Sequence, residues 1–298
     1  MTNFCLQMAS VVLEALPFLL LGSLISGFLE VFLPSDWLSR TFAGESWRAG
    51  FWGLLLGLVI PTCECGSVPI MRRLLAKGAP PHLAFAYLLA GTVVNPLVLY
   101  STWMAFPHKP WMVALRAGMS LVVAALTTTV IVHRVPRGKE LAPRTRLELH
   151  PLHCSCHGGA SWTGGNRLWR ILDSARYDFT AMFRLLVLGA TLAAVVKTGL
   201  PDQAWIFLQD HPLLAVPGMM VLSFLLSLCS EADAFVAAAL NGVPSAAQLA
   251  FLAIGPVLDI KLLLMYRRTF APQTLRILLV MPPFLILVFS LLLSRCLS

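Results

Sequence analysis

About eight apolar runs follow one another along the 298 residues, each near the roughly 20 residues needed to cross ~30 Å of hydrocarbon. They cover about Cys5 to Phe32, Ala49 to Ala76, Leu83 to Met104, Trp111 to Val132, Phe179 to Leu200, Leu213 to Leu240, Ala246 to Tyr266 and Leu275 to Leu293. With 58% hydrophobic and 12% charged residues, little chain is left for a soluble domain. The expected fold is an all-α polytopic membrane protein of about eight transmembrane helices. Met1 to Phe32 has neither a basic n-region nor a small-residue cleavage site, so it reads as a retained span.

The net charge of +8 does not indicate a nucleic-acid partner. Much of the excess lies in one connecting segment, Arg134 to Asp178, which holds eight Lys or Arg and four acids and is explained by the positive-inside rule. The expected surroundings are a lipid bilayer. Three units follow: residues 1–133 as a first transmembrane repeat, 134–178 as a basic cytoplasmic loop with Trp169 to Tyr177 along the membrane surface, and 179–298 as a second repeat.

One run is interrupted at its middle by Pro61-Thr62-Cys63-Glu64-Cys65-Gly66-Ser67-Val68-Pro69. Ionisable groups at membrane depth are expensive and by default mark a site. In a regular helix Cys63 and Cys65 stand about 200° apart, so joint action needs unwound backbone. Pro61, Pro69 and Gly66 supply the means, and unwound backbone in a bilayer survives only inside protein or against a cavity.

The second half echoes the first. A shift of 164 residues superposes Cys65 on Cys229, Gly78 on Gly242, Pro80 on Pro244, Gly91 on Gly255 and Asn95 on Asp259. Paired broken segments point to a transporter site at the midplane. Four crossings per half make the repeats parallel, whereas re-entrant hairpins make them inverted. Arg72, Arg73, Lys77 and the central loop share one side in the parallel scheme, but Arg267 and Arg268 then fall on the wrong side.

The candidate ligands pool from four segments: Cys63, Glu64 and Cys65; Cys229, Glu231 and Asp233; Asn95; and Asp259, with Lys261 beside it. Thiolates select soft or borderline ions, and a thiol–carboxylate mixture leans towards Zn(II) with Cu(I) as the other candidate. No obligatory cofactor is expected, and the ion is cargo. His153, Cys154, Cys156 and His157 put four ligands into five loop residues that could capture an ion and hand it on. The bland readings are packing cysteines at Cys5 and Cys296, a proline kink at Asn95-Pro96, a structural ion pair for Asp259 and Lys261, and solvated Glu14 and Glu30 at span ends.

The Pro61 to Ile70 stretch, the Gly91 to Pro96 turn and Ser227-Leu228-Cys229-Ser230-Glu231-Ala232-Asp233-Ala234-Phe235 resemble the bacterial predicted-permease family that includes organoarsenical efflux permeases. Within it, the Cys-Glu-Cys form and the Cys/His-rich loop look most like a branch described as copper/zinc efflux transporters. The resemblance covers nearly the whole chain. It implies an eight-span inner-membrane exporter, not an enzyme, whose cargo-binding thiols are Cys63, Cys65 and Cys229. Glu64 and Gly66 stand where the arsenical permeases have Ser-rich positions, which favours a metal cation.

Three functions stay open on sequence: a Cu or Zn efflux permease, a permease for trivalent organoarsenicals, and a membrane thiol oxidoreductase using Cys63 and Cys65. No Gly-x-x-x-x-Gly-Lys-Ser/Thr loop is present, so this chain is not expected to hydrolyse ATP itself. Metal ions or small thiophilic molecules, and a metal-binding protein in cytoplasm or periplasm, are the expected partners.

Overall fold

A computed structural model describes residues 2–32, 46–60, 62–136, 138–145, 167–199, 212–240 and 243–297. The loop ligands His153, Cys154, Cys156 and His157 lie outside the described residues. The described chain is helical, as the apolar runs require. The first half holds α1 (Thr2–Phe32), α2 (Ser46–Val59), α3 (Glu64–Ala76), α4 (Pro81–Ala86) with a π-helical turn (Tyr87–Gly91), α5 (Pro96–Ala105) and α6 (Trp111–Arg134). The second holds α7 (Arg167–Gly199), α8 (Pro212–Leu226), α9 (Ala232–Ala239), α10 (Ser245–Ile254), α11 (Ile260–Thr269) and α12 (Pro272–Leu297). The helices follow in the same order in both halves. At the shift of 164, α5 maps onto α11 residue for residue, since 96 + 164 = 260 and 105 + 164 = 269.

Residue pairs fix the direction of each helix. Gly22 of α1 faces Gly66, Ser26 donates to the Pro69 carbonyl, and Glu30 pairs with Arg73 and Lys77, so α1 and α3 run parallel. Gly53 and Gly57 of α2 lie against Leu83 and Gly91, so α2 runs parallel to α4. The turn at residues 77–80, with Gly78 at φ 81°, sets α4 antiparallel to α3. Therefore α2 and α3 are the two arms of a re-entrant hairpin, with Ile60, Thr62 and Cys63 at its tip. The second half repeats this. Ser223 of α8 donates to the Phe251 carbonyl and the Ile260 amide donates to Ser227, while Gln248 of α10 donates to the Ala237 and Leu240 carbonyls of α9. Hence α8 runs with α10 and against α9, and its tip is residues 227–231.

Among the described residues, each half thus runs from end to end of the bundle three times, by α1, α4–α5 and α6, or by α7, α10–α11 and α12. Three is odd, so the halves have opposite orientation. The interrupted runs 49–76 and 213–240 fold back on themselves, which matches the re-entrant alternative of the two left open by the sequence. It also removes the charge conflict. Arg48, Arg72, Arg73, Lys77, Arg134, Arg144, Arg267, Arg268 and Arg276 lie at one end, where Thr145 donates to the Arg268 carbonyl and Leu141 bridges to Phe270. Lys109 and Arg295 lie at the other.

At the basic end a buried ion network joins α1, α3 and α7. Asp178 pairs with Arg72 and Arg73 and accepts from Ser26 at 2.6 Å, and Arg73 and Lys77 hold Glu30 at 3.0 and 3.5 Å. Glu30 is therefore paired and largely covered rather than solvated. The same contacts explain why Trp169 to Tyr177 is not a separate surface segment: with no Pro or Gly to break it and Asp178 tied to α3, α7 continues as one helix from Arg167. Two apolar cores result. One surrounds the first hairpin with Phe85, Leu186 and Phe270; the other surrounds the second hairpin with Met112, Phe251 and Ile286.

Two outcomes are expected. A Cβ added at Gly22 would meet the Gly66 Cα at 2.7 Å, so Gly22→Ala should lower stability by about 1–3 kcal/mol, read as a lower melting temperature in detergent. Since the Lys/Arg-rich end should face the cytoplasm, reporters fused before α1 and after α12 should both read extracytoplasmic; opposite or cytoplasmic readings would reject this topology.

Candidate functional site at the hairpin tips

The first tip is built by a short break. The α2 ladder ends with Ile60 donating to Leu56, and Cys63 is extended at φ −71°, ψ 172° as the N-cap of α3. Its carbonyl then accepts from the Gly66 and Ser67 amides, both at 3.1 Å. The unwound stretch is thus shorter than Pro61–Pro69: Cys65 already sits in the first turn of α3, and Pro69 lies inside that helix. One extended residue suffices to swing Cys63 round, and Cys63, Glu64 and Cys65 line a common cavity. All three are buried.

The second tip uses a different device. Ser227 adopts φ 46°, a left-handed conformation that a non-glycine residue reaches at a cost of order 1 kcal/mol or more. It is held there by accepting from the Ile260 amide at 3.0 Å and donating to the Phe224 carbonyl at 3.2 Å. The turn projects Ser227, Leu228 and Cys229 onto the opposite wall of the same cavity, which Ala15 and Lys261 complete. The Cys229 thiol donates to the Glu231 carboxylate.

The tips touch directly. Ser230 Oγ donates to Glu64 Oε2 at 3.2 Å. Arg116, fully buried in α6, donates to Thr102 Oγ1 at 2.6 Å and to the Ser230 carbonyl at 3.0 Å, locking the second tip against the first half. The two crossing breaks are capped alike. Asn95 Oδ1 accepts from the Leu97 amide at 3.0 Å, and Asp259 Oδ1 from the Leu262 amide at 2.6 Å. Lys261 Nζ lies 3.3 Å from both Asp259 Oδ2 and the Leu228 carbonyl. Four half-helices, α3, α5, α9 and α11, begin at this depth, and their N-terminal dipoles favour negative charge there.

The expected site residues are not all brought to the cavity. Cys63, Glu64, Cys65 and Cys229 line it; Glu231 stands one contact behind Cys229; Asp259 reaches it through Lys261. Asp233 points instead towards Gly255 and Ser223, and its carboxylate has no hydrogen-bond partner among the described residues. Asn95 serves as a cap, with its amide nitrogen unpartnered among the described residues. Among the described residues no three His, Cys, Asp or Glu side chains already stand in a metal-holding arrangement. Sequence reading overlooked Arg116, although a guanidinium in the second turn of an apolar 24-residue span is itself a signal.

Replacing Arg116 by Leu should remove both bonds and cost on the order of 2 kcal/mol. Equilibrium unfolding in mixed micelles would measure this, and an unchanged midpoint would show that the tie carries no stability.

A family model described as a predicted permease matches residues 1–295. A UPF0718 protein, YcgR of Bacillus subtilis, is 34% identical over 262 residues, covering 88% of this chain and 86% of its own. A Streptococcus mutans protein, named as a candidate subunit of a two-component membrane permease complex, is 34% identical over 264 residues, covering 88% and 85%. YraQ of Escherichia coli, another UPF0718 protein, is 25% identical over 86% of this chain and 70% of its own. No solved structure matches. With a family match over almost its whole length and re-entrant hairpins meeting at the centre of a polytopic helical fold, the chain belongs to the predicted permease family.

Proposed function

We propose that this permease exports a thiophilic metal cation, Zn(II) or Cu(I), across a bacterial inner membrane through the cavity between the hairpin tips. The observation that carries the reading is the placement of Cys63, Cys65 and Cys229 with Glu64 on the walls of one buried cavity. Three thiols and a carboxylate are a donor set for soft or borderline ions. Loading would draw Cys229 from Glu231 and close the tips on the ion, because in this conformation the ligands are near one another but not yet converged. The opposite orientation of two halves with the same helix order is read as a duplication, and such halves can rock about a shared site to give alternating access. The central segment with His153, Cys154, Cys156 and His157 leaves from the basic end, which suits collection of cargo from the cytoplasm. The name of the Streptococcus mutans relative is in keeping with a second protein component that passes or receives the ion.

The test is a deletion strain challenged with Zn(II), Cu(I) and a methylated trivalent arsenical, complemented by wild type or Cys63→Ser/Cys65→Ser. Sensitivity to a metal, rescued only by the intact thiols, is expected. Sensitivity to the arsenical alone would transfer the same cavity to organoarsenical efflux. Purified wild type should carry about one ion per chain that the double variant lacks. A Cys63–Cys65 disulfide trapped by alkylation, with no metal bound, would instead favour thiol oxidoreduction.

A further inference from the structure

Lys261 is hard to account for as a packing residue. It lies in the first turn of α11, where the helix dipole disfavours a cation. It is buried, yet its side chain forms part of the cavity wall that carries the three thiols. Its ammonium touches both halves of the problem: Asp259 at its own helix cap and the Leu228 carbonyl on the second tip, each at 3.3 Å. Room for it is made by Gly189 of α7, where an added Cβ would meet the Lys261 Cα at 2.9 Å. At the shift of 164 the equivalent position is Leu97, since 97 + 164 = 261, so only one half carries the charge.

Resting on the reading of the cavity as a cation site, we propose that Lys261 is a tethered cation that occupies the empty site and is displaced by cargo. With the site empty, the ammonium balances the buried carboxylates Asp259 and Glu64 and bonds the second tip through Leu228. An incoming metal cation takes over Glu64 and the thiols, repels the ammonium towards Asp259, and frees the Leu228 carbonyl. The return of the ammonium to the cavity then competes with the bound ion and promotes its release. Each thiol that ligates the ion loses its S–H proton as the metal–thiolate bond forms: the Cys229 proton passes to the Glu231 carboxylate that already accepts it, those of Cys63 and Cys65 leave with the water shed by the ion, and release of the ion reverses these transfers. Lys261 is a positioning residue that opposes tight retention of cargo.

The test uses the full chain in proteoliposomes with Zn(II) and Cu(I) as separate probes, measuring equilibrium binding by chelator competition and efflux of loaded ion. Lys261→Met should bind the ion about tenfold tighter than wild type and release it about tenfold more slowly, while Lys261→Arg should stay close to wild type in both. The variant Lys261→Met/Asp259→Asn replaces the pair by neutral groups and serves if the single variant does not fold. A purely structural pair would be restored by that neutral replacement, and efflux at the wild-type rate would overturn the proposal. Retained binding with lost efflux would support it. Wild type that binds neither ion would overturn the cation-site reading and this role with it; wild type that binds, with Lys261→Met binding no tighter, would overturn the role of Lys261 alone.

Discussion

Backbone in a bilayer must find all its hydrogen-bond partners within the protein, and the rest of this structure follows from how four interrupted segments meet that demand. Each break frees amides and carbonyls at about the same depth. Cys63 answers with its own carbonyl, Asn95 and Asp259 with their side chains, and Ser227 with a hydroxyl that serves the Ile260 amide of another segment. Three of the four answer within their own turn, and the ties between breaks run from the Ile260 amide to Ser227, from Ser230 to Glu64 and from Lys261 to the Leu228 carbonyl. The polar centre is a cooperative unit, and its covering of apolar helices is what allows it to exist in lipid.

The charged groups at this centre serve two ends. Arg116 and Lys261 both donate to carbonyls of the second tip, at Ser230 and Leu228. Carbonyls freed by unwinding are good acceptors for buried cations, and the cations in turn offset the carboxylates Glu64, Asp233 and Asp259. A buried charge left uncompensated is strongly destabilising, so these groups act as a set. Glu64 and Lys261 of this set share the cavity wall with the three thiols.

Much of the fold could be read from the chain. Long apolar runs fix helices whatever their neighbours, and the spacing of Cys, Gly and Pro marked the breaks. What could not be read was the direction of the short arms. Helices such as Ser46–Val59 and Glu64–Ala76 each fall short of a crossing, and their joined sequence is indistinguishable from one kinked span. Only the pairing of Gly57 with Gly91 and of Gly22 with Gly66 reveals that the chain turns back. For the site, the thiols were legible because two cysteines around a carboxylate are rare in lipid-facing sequence. The aim of Asp233 away from the cavity was not, since i, i+2, i+4 spacing says nothing about where a strained residue such as Ser227 rotates the turn.

The ion network at Asp178 makes the two hairpins mechanically unlike. Beyond its tip, the first hairpin is fastened to α1 and α7 by Arg72 and Arg73, buried charges whose separation leaves unpaired ions in a low-dielectric medium, and by the half-buried Lys77. The α9 arm of the second hairpin is held to α10 by neutral hydrogen bonds from Gln248 to two carbonyls. Two arms of similar shape therefore differ in stiffness. A molecule built from matching halves acquires a fixed jaw and a lighter one, and the energetic symmetry of its two faces is broken by three cations at the end of a single arm.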